Sequence, residues 1–277
     1  VYKITLILKF YFKNIIILLS CLGFANAQND LQVSQNETEN LKPIYEYGFM
    51  GFSNLGIFNT DIKGAKGFEN CCTGFNTGFG LGLTLGLTYK YYFTDFIAFN
   101  AKIGYLNQNA TFYTSEFKPI SLIVNNVEKF QDAEIEHSLK LDFNRVIVSP
   151  GISLKVWKVA NLNFNYLMNV SVATGFHQEE RLIVPNQGNF ENNSRIRNTF
   201  SGSFKSNTLI HYLAIGINKA IPLNTNGSLI LSPEVNLIIG MNNQVDYGVL
   251  KNNFFSFGFI LAFRKLDDRI ENPLEPK

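Results

Sequence analysis

From Phe75 to Tyr91 the chain alternates residue by residue between two kinds of side chain. Phe75, Thr77, Phe79, Leu81, Leu83, Leu85, Leu87, Tyr89 and Tyr91 take the odd positions. Asn76, Gly78, Gly80, Gly82, Thr84, Gly86, Thr88 and Lys90 take the even ones. Side chains along a strand point alternately to opposite faces, so this segment is a strand with one bulky apolar face and one small or polar face. A helix would scatter both sets around its axis.

The same period recurs. Ile97–Tyr105, Arg145–Val156, Leu162–Val172, Leu229–Ile239 and Phe255–Arg264 repeat it, and Ile44–Ile57 and Thr208–Asn218 show it more weakly. That predicts eight strands. The expected connections alternate in length: short at Tyr92–Phe96, Trp157–Asn161 and Lys219–Gly227, long at Phe58–Gly74, Gln108–Gln131, Gly175–Lys205 and Met241–Asn252. Short turns at one end and long loops at the other are what outer-membrane barrels show. Within Gln108–Gln131, Ile120–Val124, Asn125-Asn126 and Val127 read as a hairpin rising above the membrane.

Period two does not say which face points inward. A soluble barrel of the lipocalin type would bury the apolar face and hydrate the other. Here the minor face is largely Gly, Asn, Ser and Thr, and glycine weakens a strand without helping to hydrate it. Inside a narrow barrel, small residues instead leave room for a few long polar chains. Only 17% of residues are charged, against 14% aromatic with 26 Phe and 12 Tyr. Tyr45, Tyr47, Tyr89, Tyr91 and Tyr105 lie near strand ends, where interfacial girdles form. The expected fold is therefore all-β: an eight-stranded antiparallel up-and-down transmembrane β-barrel, apolar face outward, with long extracellular loops and short periplasmic turns.

Two features strain that pattern. Pro150 and Pro233 fall within strands, in the echoing runs VIVSPGISLKV and LILSPEVNLII, so irregular pairing is expected at each. Leu139, Leu141 and Phe143 have the opposite parity to Val146 and Val148, which a bulge near Asn144–Arg145 would reconcile.

The first 27 residues read as a secretory signal: Lys3, Lys9 and Lys13, then apolar Ile15–Phe24, then Ala25-Asn26-Ala27 before Gln28. Cleavage is expected after Ala27, with lipidation at Cys21 as the competing reading. Residues 28–42 form a polar leader, 43–264 the barrel and 265–277 a periplasmic tail. Cys71 and Cys72 would be the cysteines of the mature chain and read as a local loop feature.

The chemistry is sparse. A net charge of +2 offers no basic footprint for nucleic acid. Lys90, Lys102, Arg145, Lys155, Glu234 and Arg264 are the charged candidates for the barrel interior, where Glu234 is expected to meet a cation. The stretch Gly175–Lys205 concentrates charge, Glu191 included, with Glu179, Glu180, Arg181, Arg195 and Arg197 as recognition candidates. Glu136-His137-Ser138 is no relay, because consecutive strand residues face opposite sides. His211 and Ser206 are the residues to test in a lipid-modifying enzyme. No catalytic, cofactor or metal site is assigned.

The runs CCTGFNTGFGLGLTLGLTYKYYF, EIEHSLKLDF and QEERLIVPNQGNFENNSRIRN resemble poorly characterised bacterial outer-membrane β-barrel domain proteins, porin-like in fold without a wide pore. The resemblance covers about Pro43 to Arg264 and implies a barrel in the outer membrane, not an activity. Some relatives continue into a peptidoglycan-binding domain, a role that Lys265–Lys277 does not support. The expected partners are outer-membrane lipid and an envelope or secretion-machinery protein met through the loops.

Overall fold

The computed structural model describes residues 42–62, 74–157, 160–246 and 248–267. The signal, the leader as far as residue 41, Cys71, Cys72 and the tail beyond Asp267 lie outside them. Ten antiparallel strands form one sheet: β1 Pro43–Thr60, β2 Thr77–Tyr92, β3 Ile97–Val124, β4 Val127–Trp157, β5 Ala160–Val184, β6 Ile196–Gly202, β7 Leu209–Asn218, β8 Ile221–Pro222, β9 Leu229–Gly240 and β10 Leu250–Leu266. The order β10-β1-β2-β3-β4-β5-β7-β9 returns to β10, so eight strands close a ring, while β6 pairs only β5 and the two-residue β8 pairs β9. Closure satisfies every strand edge in the ring with a neighbour.

The apolar face points outward in the lower part of every ring strand. On β2, Leu81, Leu83, Leu85 and Leu87 are 46–56% exposed, while Gly80 and Thr84 on the opposite face are buried. Phe49, Ile103, Ile152, Phe164, Ile215, Val235 and Phe259 continue this belt around the ring. Near the short-turn end Tyr45 stacks on Tyr89, and Tyr47 packs on Phe263. Inside, the small residues are required by close approach. A Cβ on Gly86 would stand 2.2 Å from the Ile103 carbonyl oxygen and 2.7 Å from the Met50 methyl carbon.

Two of the four long connections, Gln108–Gln131 and Gly175–Lys205, turn out to be largely strand. β3 and β4 run for 28 and 31 residues and meet at Asn125-Asn126, whose φ of 53° and 62° suit a two-residue hairpin turn. β5 continues to Val184, and β6 adds to its edge. β3, β4, β5 and β6 thus rise beyond the other strands as a four-stranded flap.

Polarity reverses where the flap leaves the ring. On β4, Val146 and Val148 are exposed outward, but Leu139, Leu141 and Phe143 are buried on the inner face. They join Phe58, Phe75, Phe112 and Phe176 in an aromatic core that closes the top of the lumen. The change of parity on β4 is therefore real and needs no bulge in that strand. A register shift does occur at this level, with Asn144 opposite Ala173 and Arg145 opposite Ser171. Val172 of β5 is the extra residue, so β5, not β4, bulges: its buried positions change from Asn165, Leu167 and Asn169 to Phe176, Gln178 and Glu180.

The two prolines sit at gaps in pairing. Pro150 pairs Ala101 on one side, but towards β5 the ladder passes from Val148–Met168 to Gly151–Asn165. Pro233 pairs Phe259, and on its other side lies the break between β7 and β8. A residue without an N–H fits where the ladder is interrupted.

Candidate functional site

Two polar constellations stand out, one in the lumen and one in the flap. In the lower lumen the inward positions bring charges into pairs. Lys102 of β3 donates to Glu234 of β9, which also accepts from Asn218 Nδ2 at 3.2 Å. Arg264 of β10 meets Glu46 of β1 at 2.7 Å, and the Tyr92 hydroxyl donates to the same carboxylate at 2.5 Å. Lys90 lies with its ammonium 5.0 Å over the Tyr92 ring.

Higher up, Arg145 is fully buried and meets no carboxylate among the described residues. Its terminal nitrogens donate to the Tyr212 hydroxyl at 3.0 Å and to Gln244 Oε1 at 2.6 Å, and it stacks over Phe143 at 4.4 Å. Asn252 accepts from Tyr212 and Gln244 and donates to Gln108 Oε1 at 3.3 Å, completing a polar layer beneath the aromatic core. Lys155 departs from the expectation of an interior charge. It has inward parity but stands exposed at the short-turn rim, where the barrel ends before it can be enclosed.

In the flap, charge is divided between two faces. On the inner face His137 Nε2 lies 3.0 Å from Glu116 and its Nδ1 3.5 Å from Glu180, which is paired with Arg197 at 2.8 Å. Burial raises the Glu116 pKa, but hydrogen bonds from Lys118 and His137 outweigh it and hold the carboxyl below its ordinary value. Arg195 donates to five main-chain carbonyls, of Leu182, Ile183, Pro185, Asn186 and Gly188, and so pins the loop after β5. That loop seats Phe190 in an apolar cluster with Leu122, Ala133, Ile135 and Leu182. Three recognition candidates are thus corrected: Glu180, Arg195 and Arg197 hold the flap together, because β5 and β6 replace most of the expected free loop. Glu179 and Arg181 pair with each other at 3.0 Å on the outer face.

That outer face also carries aromatic residues not singled out in the sequence. Tyr113, Phe117 and Phe130 are 62–76% exposed, and Glu134 and Glu136 of β4 lie opposite Phe117 and Ser115. Nearby, His177 Nδ1 is 2.7 Å from Ser201 Oγ, and His177 Nε2 is 3.7 Å from Glu179 Oε2. The sequence signal for this trio is faint: His177 and Glu179 share a strand face, but Ser201 joins them only through β6. The earlier pair is not assembled. Ser206 bonds Ser171 at 2.6 Å, and His211 stacks on and bonds Tyr166 at 2.6 Å.

No protein-family model and no curated protein matches the chain. Among solved structures, it is similar to the outer-membrane protease OmpT of Escherichia coli at 10% identity and TM-score 0.35, covering 83% of this chain and 99% of that one. The outer-membrane protein AlkL gives 11% identity and TM-score 0.36 over 83% and 93% of the two chains. The attachment invasion locus protein Ail of Yersinia pestis gives 11% and 0.29 over 80% and 100%. These neighbours are bacterial outer-membrane β-barrel proteins. The scores bear on neither activity nor partner, and the barrel stands on this chain's own ring of pairings.

Proposed function

We propose that this chain is an integral protein of the bacterial outer membrane that presents the flap of β3, β4, β5 and β6 outside the cell as a binding surface. The carrying observation is the ring of exposed Leu, Ile, Val and Phe around the lower barrel, backed by small and polar residues inside. Such a face is costly in water and favourable against hydrocarbon, and about 10 tilted strand residues cross a bilayer. Phe79 to Tyr89 on β2 alone provides that span. The short-turn end lies in the periplasm, and export follows cleavage after Ala27. Outer-membrane lipid surrounds the belt, and an envelope or secretion-machinery protein is the partner at the flap, where exposed aromatics mark an interaction surface. The test is fractionation with a heat-modifiability gel, together with an epitope inserted between Asn125 and Asn126. Recovery in the outer membrane, a heat-dependent mobility shift and epitope exposure on intact cells are expected. A soluble monomer without a shift would overturn the reading.

Ser201, His177 and Glu179 support a second reading, a hydrolytic centre on the flap. The hydroxyl would be the nucleophile, the imidazole its base, and Glu179 would orient the ring, as triad logic requires. A fluorophosphonate probe should then label the wild type and leave Ser201→Ala unlabelled. Absence of labelling in the wild-type barrel removes this reading and leaves the first intact.

A further inference from the structure

We infer that the outer face of the flap takes an extended, cationic segment of another protein, with lysines or arginines at alternate positions. The inference rests on the reading of the flap as a binding surface and names the chemistry of what it binds. Outward positions of β4 run Phe130, Asp132, Glu134 and Glu136, and β3 beside it presents Tyr113 and Phe117. The three aromatic rings lie open, and nothing among the described residues covers them. Aromatic side chains gathered in water on one sheet face mark an interaction surface.

Charge on this face is one-sided. β4 and β5 direct Asp132, Glu134, Glu136, Asp142 and Glu179 outward, against Lys140 and Arg181. Both cations lie on the side nearer the belt. Lys140 stands opposite His177, and Arg181, although opposite Glu136 in register, turns to Glu179 at 3.0 Å. At the hairpin tip Glu128 and Lys129 offset each other. Asp132 and Glu134 have no cation opposite them: Pro119 faces Asp132, and Phe117 and Val184 flank Glu134. Neither they nor Glu136 make an ion pair among the described residues. Alternate residues of a strand lie about 7 Å apart, so the carboxylates repeat at the spacing of side chains on one face of a second extended chain. Each cation of that chain meets a carboxylate, and beside Glu134 it also meets the exposed Phe117 ring, which attracts ammonium and guanidinium groups. An anionic lipid surface or a nucleic acid would meet the same carboxylates with like charge, so a basic protein segment is the occupant.

The experiment uses the full chain refolded in detergent and a short fluorescein-labelled peptide of alternating lysine and threonine, read by fluorescence anisotropy. Binding to the wild type should weaken as sodium chloride is raised, and the same peptide with glutamate in place of lysine should not bind. Asp132→Asn combined with Glu134→Gln should weaken binding about fivefold, the worth of two exposed ion pairs. Phe117→Ser should weaken it at unchanged charge. These are surface changes, and each variant should keep the heat-dependent mobility shift of a folded barrel. A heat-shifting wild-type barrel that does not bind the lysine peptide overturns this inference and leaves the outer-membrane reading standing. Equal binding by the wild type and the double variant overturns it too, as does equal binding of the glutamate peptide. Binding that survives Phe117→Ser unchanged would mean diffuse charge attraction alone and would also overturn it.

Discussion

The guanidinium of Arg195 lies among the carbonyls of residues 182 to 188, and this converts a stretch of irregular chain into a fixed lid over Leu122 and Ile135. Arg195→Ala should loosen that lid, since an unsatisfied buried polar group costs about 1–3 kcal/mol. Amide exchange should rise across residues 185–195 and protease nicking there should accelerate, while the heat-dependent mobility shift of the barrel stays unchanged. Arg195→Lys should recover only part of the loss, because an ammonium cannot span the carbonyls that a planar fork reaches. The role of Arg195 was hidden in the sequence because its acceptors are main-chain atoms, which any sequence supplies. The partners of Arg145 were hidden differently: Tyr212 and Gln244 are 67 and 99 residues away. Lys102 and Glu234 could be suggested as lumenal by parity alone, since both fall on the small-residue face of a clear period-two strand.

At the scale of the element, strand existence was legible wherever one solvent lay along the whole strand. β2, β7 and β9 were expected within a few residues of their observed ends. β3, β4 and β5 were expected at about their lower halves, because their apolar residues change sides on leaving the belt and the alternation then reads as a fault. Leu139, Leu141 and Phe143 are the case in point: with water outside the flap they turn into its core, for the reason that Val146 and Val148 face outward to lipid. Only β5 makes the transition with an added residue. Deleting Val172 should therefore shift the parity of the upper strand and turn Phe176, Glu180 and Leu182 out of the flap interior. Loss of two large buried apolar chains and a buried ion pair costs on the order of several kcal/mol. Limited proteolysis should then cleave the flap of the Val172 deletion and leave a resistant lower-barrel fragment. Equal resistance to wild type would mean that the bulge is dispensable.

At the scale of the whole molecule, the belt and the flap obey opposite substitution rules. Leu85 sits midway along the exposed run of β2, where an arginine facing hydrocarbon costs about 2–4 kcal/mol. Leu85→Arg should lower folding stability in lipid vesicles, measured by denaturant titration, whereas Ser115→Arg on the outer flap face should be close to neutral. The reversal of polarity also constrains how the molecule is made. The flap's outer face, with Lys140, Asp142, Glu134 and Glu136, is hydrated only on the far side of the bilayer, and its aromatic core assembles only when β1, β3, β4 and β5 are already side by side. Charged chain therefore has to traverse the hydrocarbon layer before the interactions that reward its passage exist. If the chain inserts as proposed, its hydrophilic segment has to be carried across before the aromatic cluster can pack, so that cluster is expected to set last.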